Sequence, residues 1–361
     1  MKALDDLLHT TVEISVLLLL EIAAVFLLGL IFIPLLRSKK TGRLDWKLGA
    51  RFKTDGSEPS MGGLVAAIAF SVCFFPLAFR AQLSSSSNYQ DTRWGLAAAG
   101  VFAVFVMLVG LCEDRLKQFL ARPAGVKPLF KQLLLYAMCL SLLIFLSVTT
   151  RASTEVLLPF RLGFIEFDIL YYPLVALAMT LSINVFKLHF CLGSDTRCSV
   201  GGLVEADGAV SLLSISFCSQ ICSLKGAGII ASCGAACCIG MLIWTFAPSK
   251  LISGESGSMF IGALFSASAV ASKHELLLLF AALPQTVDAV ASAVHFIKFK
   301  RKKVKNVIKE NETSKQSLCM LLRDRGFSDR LIIISFIILG TIGAVLSMIF
   351  AVYSRSFLMI R

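Results

Sequence analysis

Charged residues are scarce in this sequence. Lys, Arg, Asp and Glu make up 16% of its 361 residues, whereas soluble globular domains carry about 25%. Because hydrophobic residues make up 57%, this scarcity excludes an ordinary soluble domain and predicts a polytopic membrane protein. Lys and Arg number 35 against 23 Asp and Glu. These basic residues cluster in loops between apolar runs, which argues against a nucleic-acid-binding protein.

Three further features are absent from the sequence. The 11 cysteines form no pair of CxxC motifs, and most lie in apolar runs, as is typical of small buried hydrophobic residues rather than zinc ligands. No small-residue cleavage site follows the first apolar run, so no cleavable signal peptide is evident. No internal repeat is present, which disfavours a secondary transporter that would use Glu21 and Asp288 as coupling sites.

The apolar runs predict an all-α membrane protein that forms one polytopic domain over residues 1–361. A membrane-spanning helix needs about 20 predominantly apolar residues. Ten runs approach this length. The predicted spans are 13–36, 62–79, 95–112, 129–149, 167–186, 203–221, 227–248, 257–272, 275–297 and 331–353.

The distribution of Lys and Arg predicts the orientation of these spans. Most of the basic residues lie in loops on one side of the membrane. Because cytoplasmic loops carry an excess of Lys and Arg, this side is predicted to be cytoplasmic, with both termini on the other side. The predicted cytoplasmic loops are 37–61, 113–128, 187–202, 249–256 and 298–330.

Two adjacent carboxylates, Glu113 and Asp114, stand where the third apolar run meets a charged loop. Acidic residues at a membrane boundary are functional candidates for cation or substrate binding. Mg²⁺ commonly binds one or two carboxylates together with substrate phosphate oxygens. Lys131, at the start of the next span, could neutralise a phosphate. An ordinary polar loop after a helix is the alternative interpretation.

Two glycine-containing loops precede other predicted spans. Lys53 and nearby basic residues come before Pro59-Ser-Met-Gly-Gly63, which suits close backbone packing or approach of an anionic ligand. Glu255 lies among Gly and Ser just before a helix, an arrangement that supplies a metal ligand and free backbone N–H groups. The alternative for the first loop is a basic anchor on the cytoplasmic side of the membrane. The alternative for Glu255 is a favourable charge at the start of a helix.

The order of these motifs resembles the polyprenyl-phosphate N-acetylhexosamine-1-phosphate transferase family. That family includes the bacterial phospho-MurNAc-pentapeptide translocase and the WecA/TagO-type enzymes. Six segments are similar, in chain order. They are a Pro-x-Met-Gly-Gly loop (Pro59 to Gly63), a Gly-x-x-acid-Asp dyad (Gly110 to Asp114), a Gly…Lys…Gln helix start (Gly125 to Gln132), a Gly-acid-x-Gly-Ser loop (Gly254 to Ser258), a Pro…Asp pair (Pro284 to Asp288) and a Leu-Leu…Arg-Gly-Phe-Ser segment (Leu321 to Ser328).

The resemblance implies an Mg²⁺-dependent enzyme of the cell membrane. Such an enzyme transfers HexNAc-1-phosphate or MurNAc-peptide-1-phosphate from a UDP-sugar to polyprenyl phosphate and releases UMP, in peptidoglycan or surface-polysaccharide synthesis. Homodimers are common in the family. The implied roles are metal ligands for Asp114 and Glu255, catalytic roles for Glu113, Asp114, Lys131 and Asp195, and substrate contacts for Lys53, Asn184, Gly257 and Ser258.

The sequence departs from the family pattern at several motif positions. Glu113 and Glu255 stand where the family has Asp, and each moves its charge by one methylene. Cys198 and Gly201 occupy further Asp positions, for which Asp195 or Asp207 could substitute. Where the family has histidines, this chain has Ser317, Cys319 and Met320. These departures keep open the alternative of a catalytically impaired member that binds lipid phosphate or a nucleotide.

Overall fold

The architecture is a bundle of α-helices with two small hairpins. The computed structural model describes residues 2–38, 44–45, 51–52, 59, 61–83, 93–120, 128–150, 154–157, 164–193, 202–222, 225–246, 249–304, 318, 321–322 and 325–358. The helices within these ranges are α1 (Lys2–Ser38), α2 (Gly62–Leu83), α3 (Arg93–Leu120), α4 (Pro128–Thr150), α5 (Tyr171–Gly193), α6 (Leu203–Ile221), α7 (Lys225–Thr245), α8 (Gly254–Ala271), α9 (Leu277–Phe280), α10 (Leu283–Val304) and α11 (Asp329–Leu358).

The strands form two antiparallel pairs outside the bundle. β1 (Leu44–Asp45) pairs with β2 (Arg51–Phe52), and β3 (Glu155–Leu157) pairs with β4 (Phe164–Glu166). In the second pair Val156 lies opposite Ile165. One turn of 3₁₀-helix, Asp168–Leu170, then leads into α5. The strands are too short to change the class of the fold, so the protein is all-α.

Seven of the described helices are long and apolar enough to cross a membrane, namely α1, α2, α3, α4, α5, α7 and α11. The chain is therefore a multi-pass protein of the cell membrane. A helix also covers most of each of the other three predicted spans, but α6, α8 and α10 do not reach the same apolar length. The number of ten spans and the orientation of the termini thus stay predictions.

Several helix boundaries differ from those that the sequence predicts. Helix α3 continues to Leu120, so Glu113 and Asp114 lie on a helix rather than in the predicted loop 113–128. Helix α5 continues to Gly193, whereas the apolar run predicts an end near residue 186. Lys187 and His189 therefore lie on a helix rather than in a loop. The predicted span 275–297 is divided between α9 and α10, and Pro284 is the second residue of α10. Proline is tolerated there because the first N–H groups of a helix have no intrahelical partner.

Helix α8 lies at the centre of the bundle, packed against α2, α3, α5 and α7. Every residue from 254 to 270 is buried. Small residues allow this packing, because a Cβ atom at Gly63 of α2 would overlap the backbone of Gly257. At Gly110 of α3 a Cβ would lie 2.8 Å from the Cα of Ser256. The beginning of α8 is therefore held close to both α2 and α3.

Candidate active site

Four oppositely charged side chains from four helices meet at one end of the bundle. Glu113 belongs to the last turns of α3, Lys131 to the first turn of α4, Lys187 to the end of α5, and Glu255 to the first turn of α8. We call these four side chains the paired-charge cluster. Their exposed fractions are 7%, 5%, 20% and 10% in the same order. Burial of charge at this level requires close pairing, and the geometry provides it.

The two lysines of the cluster contact the same two carboxylate oxygens. Lys187 Nζ lies 3.2 Å from Glu113 Oε2 and 2.9 Å from Glu255 Oε2. Lys131 Nζ forms a close ion pair with Glu113 Oε2 and lies 3.4 Å from Glu255 Oε2. Each of these oxygens therefore faces two ammonium groups. The result is a closed tetrad in which neither glutamate depends on a single partner.

Asp114 points from α3 to the beginning of α8. Its Oδ1 accepts the backbone N–H of Glu255 at 3.2 Å, and its Oδ2 accepts that of Ser256 at 3.0 Å. Helix N-termini carry unsatisfied N–H groups and a partial positive charge, so a carboxylate at this place caps the helix. Asp114 thus stabilises the first turn of α8 and positions Glu255 in the cluster.

The loop before α8 is fixed by the segment before α2. Ile252 N–H donates to Pro59 O at 3.0 Å, and Gly62 N–H and Gly63 N–H donate to Ile252 O and Ser253 O, both at 2.9 Å. Gly254 has a φ of +73°, and a Cβ there would lie 2.8 Å from Asp114 Oδ2. Only glycine combines this backbone conformation with so close an approach. The Pro59 to Gly63 motif and the Gly254 to Ser258 motif therefore form one structural unit.

The remaining predicted substrate contacts have different positions. Asn184 forms a reciprocal amide pair with Gln132, at 2.8 and 2.9 Å, which joins α5 to α4 beside the cluster. Gly257 is packed against Gly63, and the Ser258 hydroxyl donates to Glu255 O at 3.0 Å. These contacts give Gly257 and Ser258 structural roles, and their contacts with a substrate stay predictions. Lys53 and Asp195 lie outside the described residues, as do Cys198, Gly201, Ser317, Cys319 and Met320.

A second charged group, which we call the histidine triad, consists of His189, Asp207 and Asp288. His189 Nδ1 lies 2.7 Å from Asp288 Oδ2, and His189 Nε2 lies 3.3 Å from Asp207 Oδ2. The side chains are 1–2% exposed. Asp288 Oδ1 also accepts the backbone N–H of Leu318 at 2.7 Å. The triad therefore ties α5, α6 and α10 to the segment that precedes α11.

An apolar groove of about 970 Å³ runs between α3 and α4. It extends from Trp94 to Cys112 on α3 and ends at Phe130 and Lys131 on α4. Because α3 rises about 1.5 Å per residue, the groove is about 27 Å long, close to the thickness of a bilayer's hydrocarbon core. Its other lining residues are Ala97, Ala98, Val101, Phe102, Phe105, Leu108, Val109, Leu134, Met138, Ser141, Leu142 and Phe145.

The side chains of this site do not fit a resident Mg²⁺ ion. Oε2 of Glu113 and Oε2 of Glu255 both face two ammonium groups, and both oxygens of Asp114 accept backbone N–H groups. No group of three or more His, Cys, Asp and Glu side chains within the described ranges could hold a metal ion. The Mg²⁺ implied by the motif resemblance stays a prediction, and no step of the chemistry below depends on it.

Comparison with known proteins places the site within a recognised family segment. Residues 96–273 match the family model described as "Glycosyl transferase family 4". This segment belongs to glycosyl transferase family 4. It contains the whole paired-charge cluster and every residue that lines the groove except Trp94, and the resemblance read from the motif order is confirmed. Asp288 of the histidine triad lies beyond the matched segment.

Curated relatives of the family resemble most of the chain. A phospho-N-acetylmuramoyl-pentapeptide-transferase of Halalkalibacterium halodurans is 25% identical over 285 residues, which are 78% of this chain and 82% of the relative. The protein of the same name from Corynebacterium kroppenstedtii is 24% identical over 308 residues, 76% of this chain and 83% of the relative. The protein of that name from Clostridioides difficile is 24% identical over 274 residues, which are 74% of this chain and 77% of the relative.

Sequence reasoning brought together the correct family motifs but missed one member of the cluster. Glu113, Asp114, Lys131 and Glu255 are grouped as expected, although nothing yet tests their chemical roles. The family motifs do not single out Lys187, which lies one residue beyond the predicted end of the fifth span. Its spacing of three residues from Asn184 would have placed both side chains on one face of α5.

Proposed function

We propose that the protein transfers a phospho-sugar from a UDP-linked donor to polyprenyl phosphate, as its relatives' name indicates for a phospho-MurNAc-pentapeptide group. A phosphate oxygen of the lipid attacks the phosphorus of the sugar-1-phosphate, the bond from that phosphorus to the bridging oxygen breaks, and UMP leaves. The expected product is a lipid-linked diphospho-sugar for peptidoglycan synthesis. A HexNAc-1-phosphate donor is the other substrate class that the sequence motifs imply.

The observation that carries this proposal is the apolar groove that ends at Lys131. Val101, Phe105 and Leu108 line it and are 41–56% exposed, so the groove opens towards lipid along a spanning helix. A cavity with apolar walls and one cation at its end suits an amphiphile with a long hydrocarbon chain and a phosphate head group. Lys131 would contact that phosphate while the chain follows α3 and α4.

The paired-charge cluster supplies the electrostatics that phosphoryl transfer requires. Catalysis of such reactions consists largely of positioning and stabilisation of charge on phosphate oxygens. Lys187 is the most exposed member of the cluster, at 20%, and we assign it to the donor diphosphate. Phosphate oxygens would replace carboxylate oxygens on the ammonium groups, while Glu113 and Glu255 keep both lysines oriented before substrate binds. Mg²⁺ is proposed only as a companion of the diphosphate substrate.

A second candidate function is a non-catalytic member that binds polyprenyl phosphate. This candidate is supported by the closed tetrad, in which both glutamates already have cationic partners, and by the cap that engages Asp114. The groove would serve both functions equally. The two candidates therefore differ in turnover and not in lipid binding.

Release of UMP by the purified full-length protein separates these functions. The assay uses undecaprenyl phosphate with either UDP-MurNAc-pentapeptide or UDP-GlcNAc. We expect Lys131→Gln to lower the rate by about 100-fold or more, as loss of a preorganised electrostatic contact does in other sites. Lys250→Gln is the matched control, because Lys250 is not a member of the cluster and lies over the Trp244 ring. Absence of release from both donors, with lipid binding intact, would instead support the second candidate.

The lipid-binding role of the groove has its own test. Val101→Trp fills the groove, whereas Ile144→Trp places the same indole at an exposed position of α4 that does not line it. We expect Val101→Trp alone to reduce labelling of α3 and α4 by a photoreactive polyprenyl phosphate and to raise the KM for the lipid several-fold. Equal effects of the two variants would show that the groove is not the lipid site.

A further inference from the structure

We infer that the Lys187 ammonium occupies the place of a divalent cation, so that the unliganded protein neutralises Glu113 and Glu255 with its own side chains. The inference concerns the protein without substrate and does not rest on the proposed transfer reaction. It predicts that the site takes no divalent cation until Lys187 is removed. It also predicts that the same carboxylates form a cation site once the lysine is replaced by a shorter neutral side chain.

The geometry of the tetrad supports this inference directly. An Mg²⁺ ion binds carboxylate oxygens at about 2.0–2.1 Å. Lys187 Nζ and Lys131 Nζ lie within 3.4 Å of Glu255 Oε2, and both also contact Glu113 Oε2. An ion bonded to Glu255 Oε2 would thus lie within about 5.5 Å of two ammonium groups. Like charges at that distance in a largely buried site repel strongly.

The third carboxylate of the site does not offset this repulsion. Asp114 directs Oδ1 to the N–H of Glu255 and Oδ2 to that of Ser256. Rotation towards a metal ion would uncap α8 and leave buried N–H groups without partners. The oxygen that Gly254 approaches most closely is the same Oδ2, so the loop leaves Asp114 little room to move.

Charge balance permits the exchange at either lysine, and exposure assigns it to Lys187 rather than Lys131. Glu113, Asp114 and Glu255 carry three negative charges, and the two lysines carry two positive charges. Replacement of Lys187 leaves a net charge of −2 around Lys131, which a divalent cation would neutralise. Lys187 is also four times as exposed as Lys131, at 20% against 5%, so its removal opens a path for the ion from the surface.

The test measures binding of Mn²⁺ to the full-length protein in detergent, without substrate, by the loss of the free-ion signal in electron paramagnetic resonance. We expect no stoichiometric binding by the wild type. Lys187→Asn should gain one Mn²⁺ site per chain, at least about tenfold tighter than any wild-type binding. Lys187→Asn combined with Glu255→Gln should lose this site. Lys250→Asn, at an exposed position outside the cluster, should behave as the wild type.

Three results would overturn the inference. They are stoichiometric Mn²⁺ binding by the wild type, no gain in Lys187→Asn, and a gain that persists after Glu255→Gln. Thermal unfolding gives a second measurement, since Mg²⁺ should raise the Tm of Lys187→Asn and leave that of the wild type unchanged. If Lys187→Asn does not fold, Lys187→Met and the wild-type titration decide the question. No arm measures UMP release, so failure of the transferase assay and failure of this test are distinguishable.

Discussion

The paired-charge cluster and the histidine triad use residues only two positions apart on α5, yet they are satisfied differently. Lys187 points to α3, α4 and α8, where two lysines share two glutamates. His189 points to α6 and α10, where one imidazole bridges two aspartates. The cluster is up to 20% exposed and adjoins the groove, whereas the triad is 1–2% exposed.

The difference indicates which group can change partners. In the cluster each glutamate has two ammonium contacts, so loss of one still leaves the other. In the triad one imidazole is the shared side-chain partner of both aspartates, and Asp288 Oδ1 also accepts the N–H of Leu318. Redundant pairing near the surface is suited to exchange with a ligand, while single pairing in the interior is suited to holding helices together.

Removal of the imidazole should have the largest effect on stability. We expect His189→Ala to lower the free energy of unfolding by about 3–5 kcal/mol, because it removes the imidazole that lies between two buried aspartates. Lys187→Met should cost less than half as much, because Lys131 still contacts both glutamates. Thermal unfolding in detergent measures both, with His295→Ala on α10 as the control. Equal losses for His189→Ala and Lys187→Met would contradict the distinction between the two groups.

Removal of the α8 cap should have an intermediate effect. Asp114→Ala deletes two hydrogen bonds to backbone N–H groups at a helix N-terminus. We expect a loss of about 1–3 kcal/mol in unfolding free energy, with Asp114→Asn losing roughly half of that because it retains one acceptor. Glu166→Ala, at an exposed strand position, is the matched control. If Asp114→Ala has the same unfolding free energy as the wild type, the cap does not hold α8.

The smallest effect is expected at the amide pair between α4 and α5. A double-mutant cycle of Gln132→Ala and Asn184→Ala should give a coupling energy of about 0.5–1.5 kcal/mol, since two neutral hydrogen bonds join the side chains. The measurement is again thermal unfolding, and each single variant serves as the reference for the other. A coupling energy near zero would mean that the pair adds nothing to the positioning of Lys131 and Lys187.

The sequence could predict the grouping of Glu113, Asp114, Lys131 and Glu255 because all four stand at ends of apolar runs that the charge pattern assigns to one side. Helix ends on one side of a bundle lie at the same end of the molecule, which allows their side chains to meet. The fold class followed from the same runs. The limit lay in the ends of the helices: hydropathy falls at residue 186, but α5 continues for two more turns.

Side-chain direction could not be predicted from the sequence. Asp114 resembles a metal ligand by its motif, but the contact between α3 and α8 decides that it caps a helix. That contact depends on Gly110 of α3, which packs against Ser256, and on Gly254 of α8, which packs against Asp114. The two residues of each pair are far apart in the chain. His189 shows the same limit. Its two partners, Asp207 and Asp288, come from α6 and α10, and only α6 lies within the segment that matches the family.

The position of α8 has a consequence for how the protein is assembled in the bilayer. This helix is not among those apolar enough to cross a membrane unaided, and its residues 254–270 touch protein on every side. A segment of this polarity gains little from contact with lipid and depends on neighbours for its stability. The four helices that enclose it, α2, α3, α5 and α7, all precede it in the chain. Synthesis from the N-terminus therefore delivers α8 only after its surroundings have been made.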